Sequence, residues 1–225
     1  IRDNLPWLEF RRVLIRSEKC PNYQKYGQNL DEYIRLYYGM VSQVDYNVGR
    51  LLNALEKWGI RENTIIMFTS DHGDMQGSHG LKNKQLPFEE SSGIPLIVQA
   101  PNGLKGVLSD ALVSGIDFYP TTLALVDSKP SISLPGKDFS PILFGEKLPS
   151  ALPIFSENWR GKMIREGDFK LVVKGFWNKP TQLYNLVKDP YEMANLIKNP
   201  EYTLKIKELR KKIQDWLKQT KPVKK

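Results

Sequence analysis

Two apolar runs constrain the fold of this chain more than any other feature. Residues 64–70 read TIIMFTS and residues 94–100 read IPLIVQA, and neither run alternates apolar with polar residues. Runs of this kind are typical of parallel strands whose two faces are both covered by helices. We therefore predict two buried, parallel strands at these positions.

Helical patterns flank these two runs. Apolar residues recur at spacings of three and four between residues 29 and 59, which predicts the buried stripe of an amphipathic helix; they are Ile34, Tyr38, Val41, Val44, Val48, Leu51 and Leu55. Asn29 is suited to begin this helix and Gly59 to end it. A second helix is expected to begin near Asp117, with Pro120 in its first turn. The order helix, strand, loop, strand, helix indicates an α/β layered sheet.

The pattern changes near residue 148. The runs LPIFSEN, KMIRE, FKLVVKG and TQLYNL are short and strand-like, and Gly, Asp, Asn, Lys and Pro separate them. Such a pattern predicts a small antiparallel sheet. An amphipathic helix follows, with apolar positions at Ile206, Leu209, Ile213, Trp216 and Leu217. We therefore expect two regions, an α/β region over residues 1–147 and an antiparallel β subdomain with a terminal helix over residues 148–225.

Charge and cysteine usage narrow the possible partners. A net charge of +8 favours anionic partners but does not choose among nucleic acid, lipid and sulfated sugar. No apolar run approaches the roughly 18 residues that a membrane span needs. The single cysteine, Cys20, excludes an internal disulfide framework and a multi-cysteine zinc site. We predict neither a nucleic acid nor a membrane as the partner.

The polar residues after the first apolar run form a candidate site. In open α/β sheets ligands bind beyond the carboxyl ends of the strands, and Asp71, His72 and Asp74 follow such an end. A carboxylate and an imidazole are both ligands for divalent cations. Two protein ligands do not complete such a site, because Mg²⁺ and Ca²⁺ take six or more ligands. Each residue also has a purely structural interpretation. An Asp at such a position often caps a loop, His79 would be a hydrogen-bonded loop histidine, and Lys84 would be a surface lysine.

The combination of these stretches resembles the sulfatase family, within the alkaline-phosphatase-like superfamily. The matching segments are YYGMVSQVDYNVGRLLNALEKWGIREN, NTIIMFTSDHGDMQGSHGL, a following lysine, PFEESSGIPLIVQAP, SGIDFYPTTLALV, GDFKLVV and QLYNLVKDPYEMANLI. They cover the chain from residue 32 to about residue 216. The resemblance implies an alkaline-phosphatase-like layered sheet, a small C-terminal antiparallel sheet packed by the terminal helix, and hydrolysis of sulfuric esters.

The resemblance also implies roles for individual residues. Asp71 and His72 match metal ligands of the family, Lys84 matches a lysine that contacts sulfate oxygens, and His79 matches a histidine near the substrate. Calcium is the expected ion, with Mg²⁺ or another divalent ion as alternatives. His72 stands where many members carry Asn, which leaves the identity of the ion open, because an imidazole nitrogen suits ions softer than calcium. The metal and Lys84 would neutralise charge on the sulfuryl oxygens as the S–O bond breaks.

The chain also departs from the family pattern. Sulfatases carry their nucleophile, a formylglycine, within C-x-P-S-R, whereas Cys20 stands in KCPNYQ, with Pro one position too early and no Ser-Arg after it. We interpret Cys20 as an ordinary cysteine. Gly93 replaces the arginine that many members carry there. We expect the formylglycine and the remaining metal ligands in a missing N-terminal half, so the isolated chain should be inactive.

The sequence leaves the substrate and the exact reaction open. A sulfated small molecule or polysaccharide is expected, either a sulfated sugar or an aryl sulfate. One alternative is a phosphodiesterase or phosphonate monoester hydrolase of the same superfamily. Another is a non-catalytic module that binds sulfated polymers through its basic surface. The family resemblance suggests a periplasmic, secreted or lysosomal location.

Overall fold

A computed structural model describes residues 30–81, 83–84, 86–146 and 152–220. Cys20 and Asn29 lie outside these residues, and so does the predicted region boundary, which falls among residues 147–151. The chain divides into two compact units. The first consists of Ile1–Thr64, His72–Lys84 and Glu89–Pro95, and the second of Ile65–Asp71, Gln85–Phe88 and Leu96–Lys225.

The first unit contains the long helix α1, Leu30–Lys57, and the single helical turn α2, Glu89–Ser92. Acidic residues in the first turn of α1 and Lys57 in its last turn complement the helix dipole. Gly59 ends the helix in a left-handed conformation, φ 67°, and its N–H donates to Glu56 O at 2.9 Å. The predicted helix and its glycine end are confirmed.

The predicted burial of the α1 stripe is confirmed only in part, because Tyr38, Val48 and Leu55 are half-buried. Ile34 is buried, but Val41, Val44 and Leu51 have exposed fractions of 43%, 51% and 67%. The spacing of apolar residues fixes which side of a helix is apolar, whereas burial requires a second surface to cover it. Among the described residues, no such surface covers the middle of this helix.

The second unit begins with strands β1, Ile66–Thr69, and β2, Leu96–Gln99. They pair antiparallel, with Ile66 opposite Gln99 and Thr69 opposite Leu96. The prediction of parallel strands is therefore wrong, and the predicted full burial is wrong as well, because Ile97 is 56% exposed. An unbroken apolar run indicates a strand, but it does not indicate whether the adjacent strand in the sheet runs parallel or antiparallel to it.

Two short helices follow in this unit, α3, Phe118–Leu125, and α4, Ser140–Leu143. Asp117 ends the 3-10 turn that leads into α3, and its buried carboxylate accepts hydrogen bonds at 2.8 Å from the N–H groups of Ser114 and Lys137. The carboxylate thereby joins the start of α3 to the segment that leads into α4. The predicted start of a helix near Asp117, with Pro120 in its first turn, is confirmed.

The remainder of the second unit is a four-stranded antiparallel sheet with one long helix. The strands are β3, Ile154–Asn158, β4, Gly161–Glu166, β5, Phe169–Lys174, and β6, Lys179–Asn185, in the order β3-β4-β5-β6. Helix α5, Thr203–Gln219, packs on one face of this sheet. The shared core consists of Ile164, Leu171, Val173, Leu183, Leu209 and Ile213, all fully buried. The predicted C-terminal sheet packed by a terminal helix is confirmed.

Within the part of the chain that the structure describes, no helix combines the length and the apolar character needed to cross a membrane.

Candidate functional site

The loop His72–Lys84, in the first unit, folds back on itself. The N–H of Met75 donates to Asn83 O and the N–H of Gly77 to Leu81 O, both at 2.8 Å. The Met75 side chain is only 1% exposed. These bonds bring the two ends of the loop together, so residues at its start and end become neighbours.

His72 and Lys84 form a direct hydrogen bond across this closure. His72 Nδ1 lies 2.8 Å from Gly73 O, and His72 Nε2 lies 2.5 Å from Lys84 Nζ. A carbonyl oxygen only accepts and an ammonium only donates, so Nδ1 carries the proton and Nε2 the lone pair. The structure therefore brings two of the predicted site residues together and fixes the tautomer of the histidine.

Gly73 holds the start of this loop against α2. Its N–H donates to Ser91 O at 3.0 Å, and a Cβ built on Gly73 would lie 1.9 Å from Glu90 O. Real Cβ atoms do not approach a backbone oxygen so closely, so only glycine fits here without a shift of the backbone. Gly77, in contrast, adopts the left-handed turn conformation expected of it, with φ 90°.

Asp74 has a structural role in the loop. Its Oδ1 accepts a hydrogen bond from the N–H of Gln76 at 2.8 Å, the bond of an Asx turn. The hydroxyl of Tyr33, on α1, also donates to the Asp74 carboxylate. Burial, followed by the charge and hydrogen bond of Asp74, raises the pKa of Tyr33. For Asp74 the capping interpretation is therefore the better one.

Asp71 lies in the second unit, directly after β1. Its side chain is exposed, and Ser70 Oγ lies 3.5 Å from its Oδ1, at the limit of a hydrogen bond. A solvent-exposed carboxylate at a strand end is accessible to a cation or a ligand. Asp71 does follow the end of β1, but β1 pairs antiparallel with β2, so the argument from the carboxyl ends of parallel strands does not apply to this pair.

The backbone of the loop is unusual at His79 and at two other positions. Gln76, His79 and Asn83 all have positive φ, at 44°, 53° and 64°. Each such non-glycine residue costs on the order of 1 kcal/mol or more, and residues of this kind cluster at functional sites. His79 itself is half-buried between the buried Ser78 and Gly80. The sequence did not predict this backbone strain, because no local pattern of residues indicates a positive φ at these three positions.

The donors present fit part of a metal site. Across the residues that the structure describes, no cluster of three or more His, Cys, Asp or Glu side chains could hold an ion. Asp71 and His72 are neighbours in the chain and offer an oxygen and a nitrogen ligand, the donor types that divalent ions accept.

Two family models match the chain. The model described as "Sulfatase" matches residues 16–128, which is half of the chain. The model described as "N-sulphoglucosamine sulphohydrolase, C-terminal" matches residues 77–219. Together the two models extend over the candidate loop, α3, the four-stranded sheet and α5.

Known proteins resemble the chain in sequence and in structure. An N-acetylglucosamine-6-O-sulfatase of Bacteroides thetaiotaomicron is 36% identical over 95% of this chain, and the match spans 40% of that protein. A solved structure in complex with its substrate D-glucosamine-2-N,6-O-disulfate has a TM-score of 0.78 and 32% identity, over 95% of this chain and 46% of that one. A phosphonate monoester hydrolase of Agrobacterium radiobacter has a TM-score of 0.75 and 27% identity, over 85% of this chain and 42% of that one. The chain thus spans less than half the length of these proteins.

Proposed function

The chain belongs to the sulfatase family, and from that premise we propose that it forms the part of a sulfuric ester hydrolase that carries Asp71, His72, His79 and Lys84. The observation that carries this proposal is the hydrogen bond between Lys84 Nζ and His72 Nε2. Two residues that the family resemblance assigns to one site are direct neighbours here. The proposed reaction converts a sulfate ester and water into an alcohol, sulfate and a proton.

In the proposed site Lys84 neutralises charge on the sulfuryl oxygens. An ammonium group has three N–H donors, and His72 accepts only one of them. The other two are available for oxygens of a bound sulfate group. In the ion-free protein His72 therefore holds Lys84 near the proposed site without using up its capacity to donate, and N–H donors aimed at the sulfuryl oxygens would stabilise the negative charge that develops there.

Asp71 and His72 would hold the divalent ion, with Ca²⁺ as the expected species and Mg²⁺ as an alternative. Such an ion supplies Lewis-acid polarisation of a sulfuryl oxygen. His72 Nε2 has a single lone pair, so it can accept from Lys84 or bind a cation, but not both. The contact between His72 and Lys84 is therefore one that ion binding would release.

We further propose that polypeptide outside these 225 residues supplies the nucleophile. The sequence contains no C-x-P-S-R segment in which a formylglycine could form, and it spans only 40% of the matched N-acetylglucosamine-6-O-sulfatase. The same polypeptide would supply the remaining metal ligands. The domain division expected from the sequence stays a proposal, with a catalytic part over residues 1–147 and the β subdomain over residues 148–225.

A sulfated sugar is the substrate class that we favour. The relative that is named an N-acetylglucosamine-6-O-sulfatase and the structure bound to D-glucosamine-2-N,6-O-disulfate both concern sulfated amino sugars. The net charge of +8 suits an anionic substrate. The likeness to a phosphonate monoester hydrolase supports the second candidate, hydrolysis of phosphonate esters. A comparison of kcat/KM on matched sulfate and phosphonate esters separates the two candidates.

Substitutions of the site residues in the whole protein test the proposal. We expect Asp71→Asn and Lys84→Ala each to lower kcat/KM for glucosamine 6-sulfate by about 100-fold or more, the scale for removing one group that stabilises the transition state. Sulfate release is the measurement. Asp74→Asn is the matched control in the same loop, because an asparagine retains the oxygen that caps the turn; its activity should stay within about fivefold, since conservative changes outside the reacting groups have small effects.

Two outcomes would contradict the proposal. One is undiminished sulfate release by the Asp71→Asn protein, with an unfolding midpoint equal to that of the parent. The other is turnover by the 225-residue chain alone, purified free of other sulfatases, because that chain has no formylglycine segment.

A further inference from the structure

Two turns of the four-stranded sheet expose large aromatic side chains. Trp159 lies in the turn between β3 and β4 and is 77% exposed. Phe176 and Trp177 lie in the turn between β5 and β6 and are 87% and 77% exposed. Exposed aromatic groups concentrated in one place mark interaction sites more often than single exposed residues do.

The sheet topology places these turns side by side. The strands are antiparallel in the order β3-β4-β5-β6, so the β3–β4 and β5–β6 turns lie at the same end of the sheet. Neighbouring strands are about 4.8 Å apart, so the centres of the two turns are separated by about 10 Å. A single sugar ring is too small to contact both turns, whereas a short oligosaccharide is long enough.

Cationic groups surround these aromatic side chains. The Arg160 guanidinium lies 4.4 Å from the centre of the Trp159 ring. Lys174 and Lys179 are exposed and lie directly opposite each other in the β5–β6 pair. Gly161 is the first residue of β4 after the Trp159 turn, and a Cβ built on it would lie 3.3 Å from Lys174 Cγ. The aliphatic part of the Lys174 side chain therefore lies beside Gly161, next to that turn. We call Trp159, Arg160, Lys174, Phe176, Trp177 and Lys179 the tip cluster.

The positive charge of the tip cluster is not balanced by acidic residues. No carboxylate among the described residues forms an ion pair with Arg160, Lys174 or Lys179. The nearby Glu157 pairs with Lys162 at 3.3 Å, and Lys162 lies opposite the core residue Val173, on the face that α5 covers. Like charges placed opposite each other across two strands are destabilising. An anion bound between Lys174 and Lys179 would remove that repulsion.

The backbone of both turns is held in place. Asn158 Oδ1 accepts from the N–H groups of Arg160 and Gly161, at 2.8 Å and 3.1 Å. Trp177 O accepts from an Arg210 guanidinium nitrogen on α5 at 2.9 Å. Binding to such a preorganised surface loses less conformational entropy than binding to loose loops.

We propose that the tip cluster binds a chain of sulfated polysaccharide, with sugar rings against the Trp159 and Trp177 indoles and sulfate groups at Arg160, Lys174 and Lys179. This inference rests on the proposed function, which provides the substrate class. The cluster would dock the polymer that contains the sulfate ester. Indole faces suit the C–H faces of sugar rings, and unpaired positive charge suits sulfate groups, so the surface is complementary to both parts of such a chain.

Binding of heparin oligosaccharides to the 225-residue chain tests the inference by calorimetry. We expect Trp159→Ala and Trp177→Ala each to weaken binding about 3- to 10-fold, the range for one aromatic contact. The double variant Lys174→Gln/Lys179→Gln should weaken binding and reduce its salt dependence, because charged contacts are screened. Trp58→Ala is the matched control, since Trp58 is 71% exposed but lies beyond the end of α1. Unfolding midpoints verify that each variant is folded.

Two further ligands separate sugar recognition from general attraction of anions. Polyphosphate offers negative charge without sugar rings, so the tryptophan substitutions should affect it less than they affect heparin. The inference is overturned if Trp159→Ala weakens heparin binding no more than Trp58→Ala does, or weakens heparin and polyphosphate equally. Tighter binding of single-stranded DNA than of heparin, with the same dependence on the tryptophans, would also overturn it, since a nucleic acid would then be the ligand.

The test of polysaccharide binding by the tip cluster can be separated from the test of sulfatase activity. Asp71→Asn removes a proposed metal ligand and should retain heparin affinity while sulfate release in the whole protein is lost. Absence of heparin binding with intact turnover overturns this inference alone. Heparin binding that depends on the tryptophans, without any turnover by the whole protein, would count against the enzymatic proposal instead.

Discussion

At the scale of single residues, buried ionisable groups outside the candidate loop shape the response to pH. Tyr184, on β6, is only 4% exposed. Burial first, and then the negative charges of Glu192 and Asp189, raise its pKa from 10.0 to about 12. The folded protein therefore disfavours the phenolate. The neutral phenol stabilises the fold fully below pH 10, and this contribution is lost as the pH rises through the folded pKa.

Tyr184→Phe tests this contribution. Between pH 10 and pH 12 the parent should lose about 2–3 kcal/mol of its free energy of unfolding through Tyr184, whereas the phenylalanine variant should not. Above pH 10 the free energy of unfolding of the variant should therefore rise relative to that of the parent. Urea unfolding of both proteins at a series of pH values measures this difference. Tyr46→Phe, at a 68% exposed tyrosine, controls for removal of a phenol. A difference that stays constant from pH 8 to pH 12 would show that the Tyr184 hydroxyl is not buried as described.

At the scale of secondary-structure elements, the attachment of α5 shows which forces dominate. Glu166 on β4 pairs with Lys212 at 2.7 Å, and Glu208 pairs with the same lysine at 2.8 Å. These hydrogen bonds raise the pKa of Lys212 and lower that of Glu208. Both groups are well exposed, and pairs of this kind contribute on the order of 1 kcal/mol or less. Leu209 and Ile213 are fully buried, and such side chains cost about 2–5 kcal/mol when truncated to alanine. Apolar packing therefore holds α5 on the sheet.

A buried ion pair joins β5 to the segment that follows β6. Lys170 Nζ lies 2.7 Å from Glu192 Oε1, and both side chains are 0% exposed. Glu192 also adopts a left-handed backbone conformation, with φ 55°. Two charges taken out of water depend on each other, because either one left alone in the interior is strongly unfavourable.

We expect Lys170→Met to lower the free energy of unfolding by about 3–5 kcal/mol, since it leaves the Glu192 carboxylate buried without its partner. The double variant Lys170→Met/Glu192→Met should recover a large part of this loss. Urea unfolding of the parent, both single variants and the double variant gives the coupling between the two sites. Additive effects of the two substitutions would show that the pair does not act as a unit.

At the scale of the whole molecule, α1 carries several large apolar side chains that the described residues leave exposed. Met40, Val41, Val44 and Leu51 all lie on this helix with exposed fractions between 43% and 67%. Apolar surface of this extent is uncommon on a soluble domain unless another surface covers it. This exposure agrees with the proposal that further polypeptide completes the enzyme.

Charged substitutions in the stripe test that proposal. In the 225-residue chain Val44→Asp and Leu51→Asp should change the free energy of unfolding by no more than about 0.5 kcal/mol, because exposed positions tolerate substitution. In the whole protein the same changes should cost about 2 kcal/mol or more, because a buried carboxylate without a partner is unfavourable. Ile34→Asp, at a position that is 2% exposed, should destabilise both proteins and serves as the reference. Equally small effects of Val44→Asp and Leu51→Asp in both proteins would argue that the stripe stays exposed.

The likeness to solved sulfatases and related hydrolases confirms the predicted α/β alkaline-phosphatase-like class. The sequence by itself determined what depends on residues close together in the chain. Helical spacing located α1 and α5, turn residues located the four C-terminal strands, and the polar run after residue 70 identified the candidate loop. These features follow from local periodicity and turn chemistry, which a sequence contains directly.

Only the tertiary structure decided what depends on residues far apart in the chain. It set β1 and β2 antiparallel, left Val41, Val44 and Leu51 of the α1 stripe exposed, and placed Glu90 O where any side chain at position 73 would collide with it. It also closed the loop that joins His72 to Lys84 and brought the Trp159 and Trp177 turns to one end of a sheet. Strand direction, burial and side-chain contact arise when separate segments meet, and no local pattern of residues specifies that meeting.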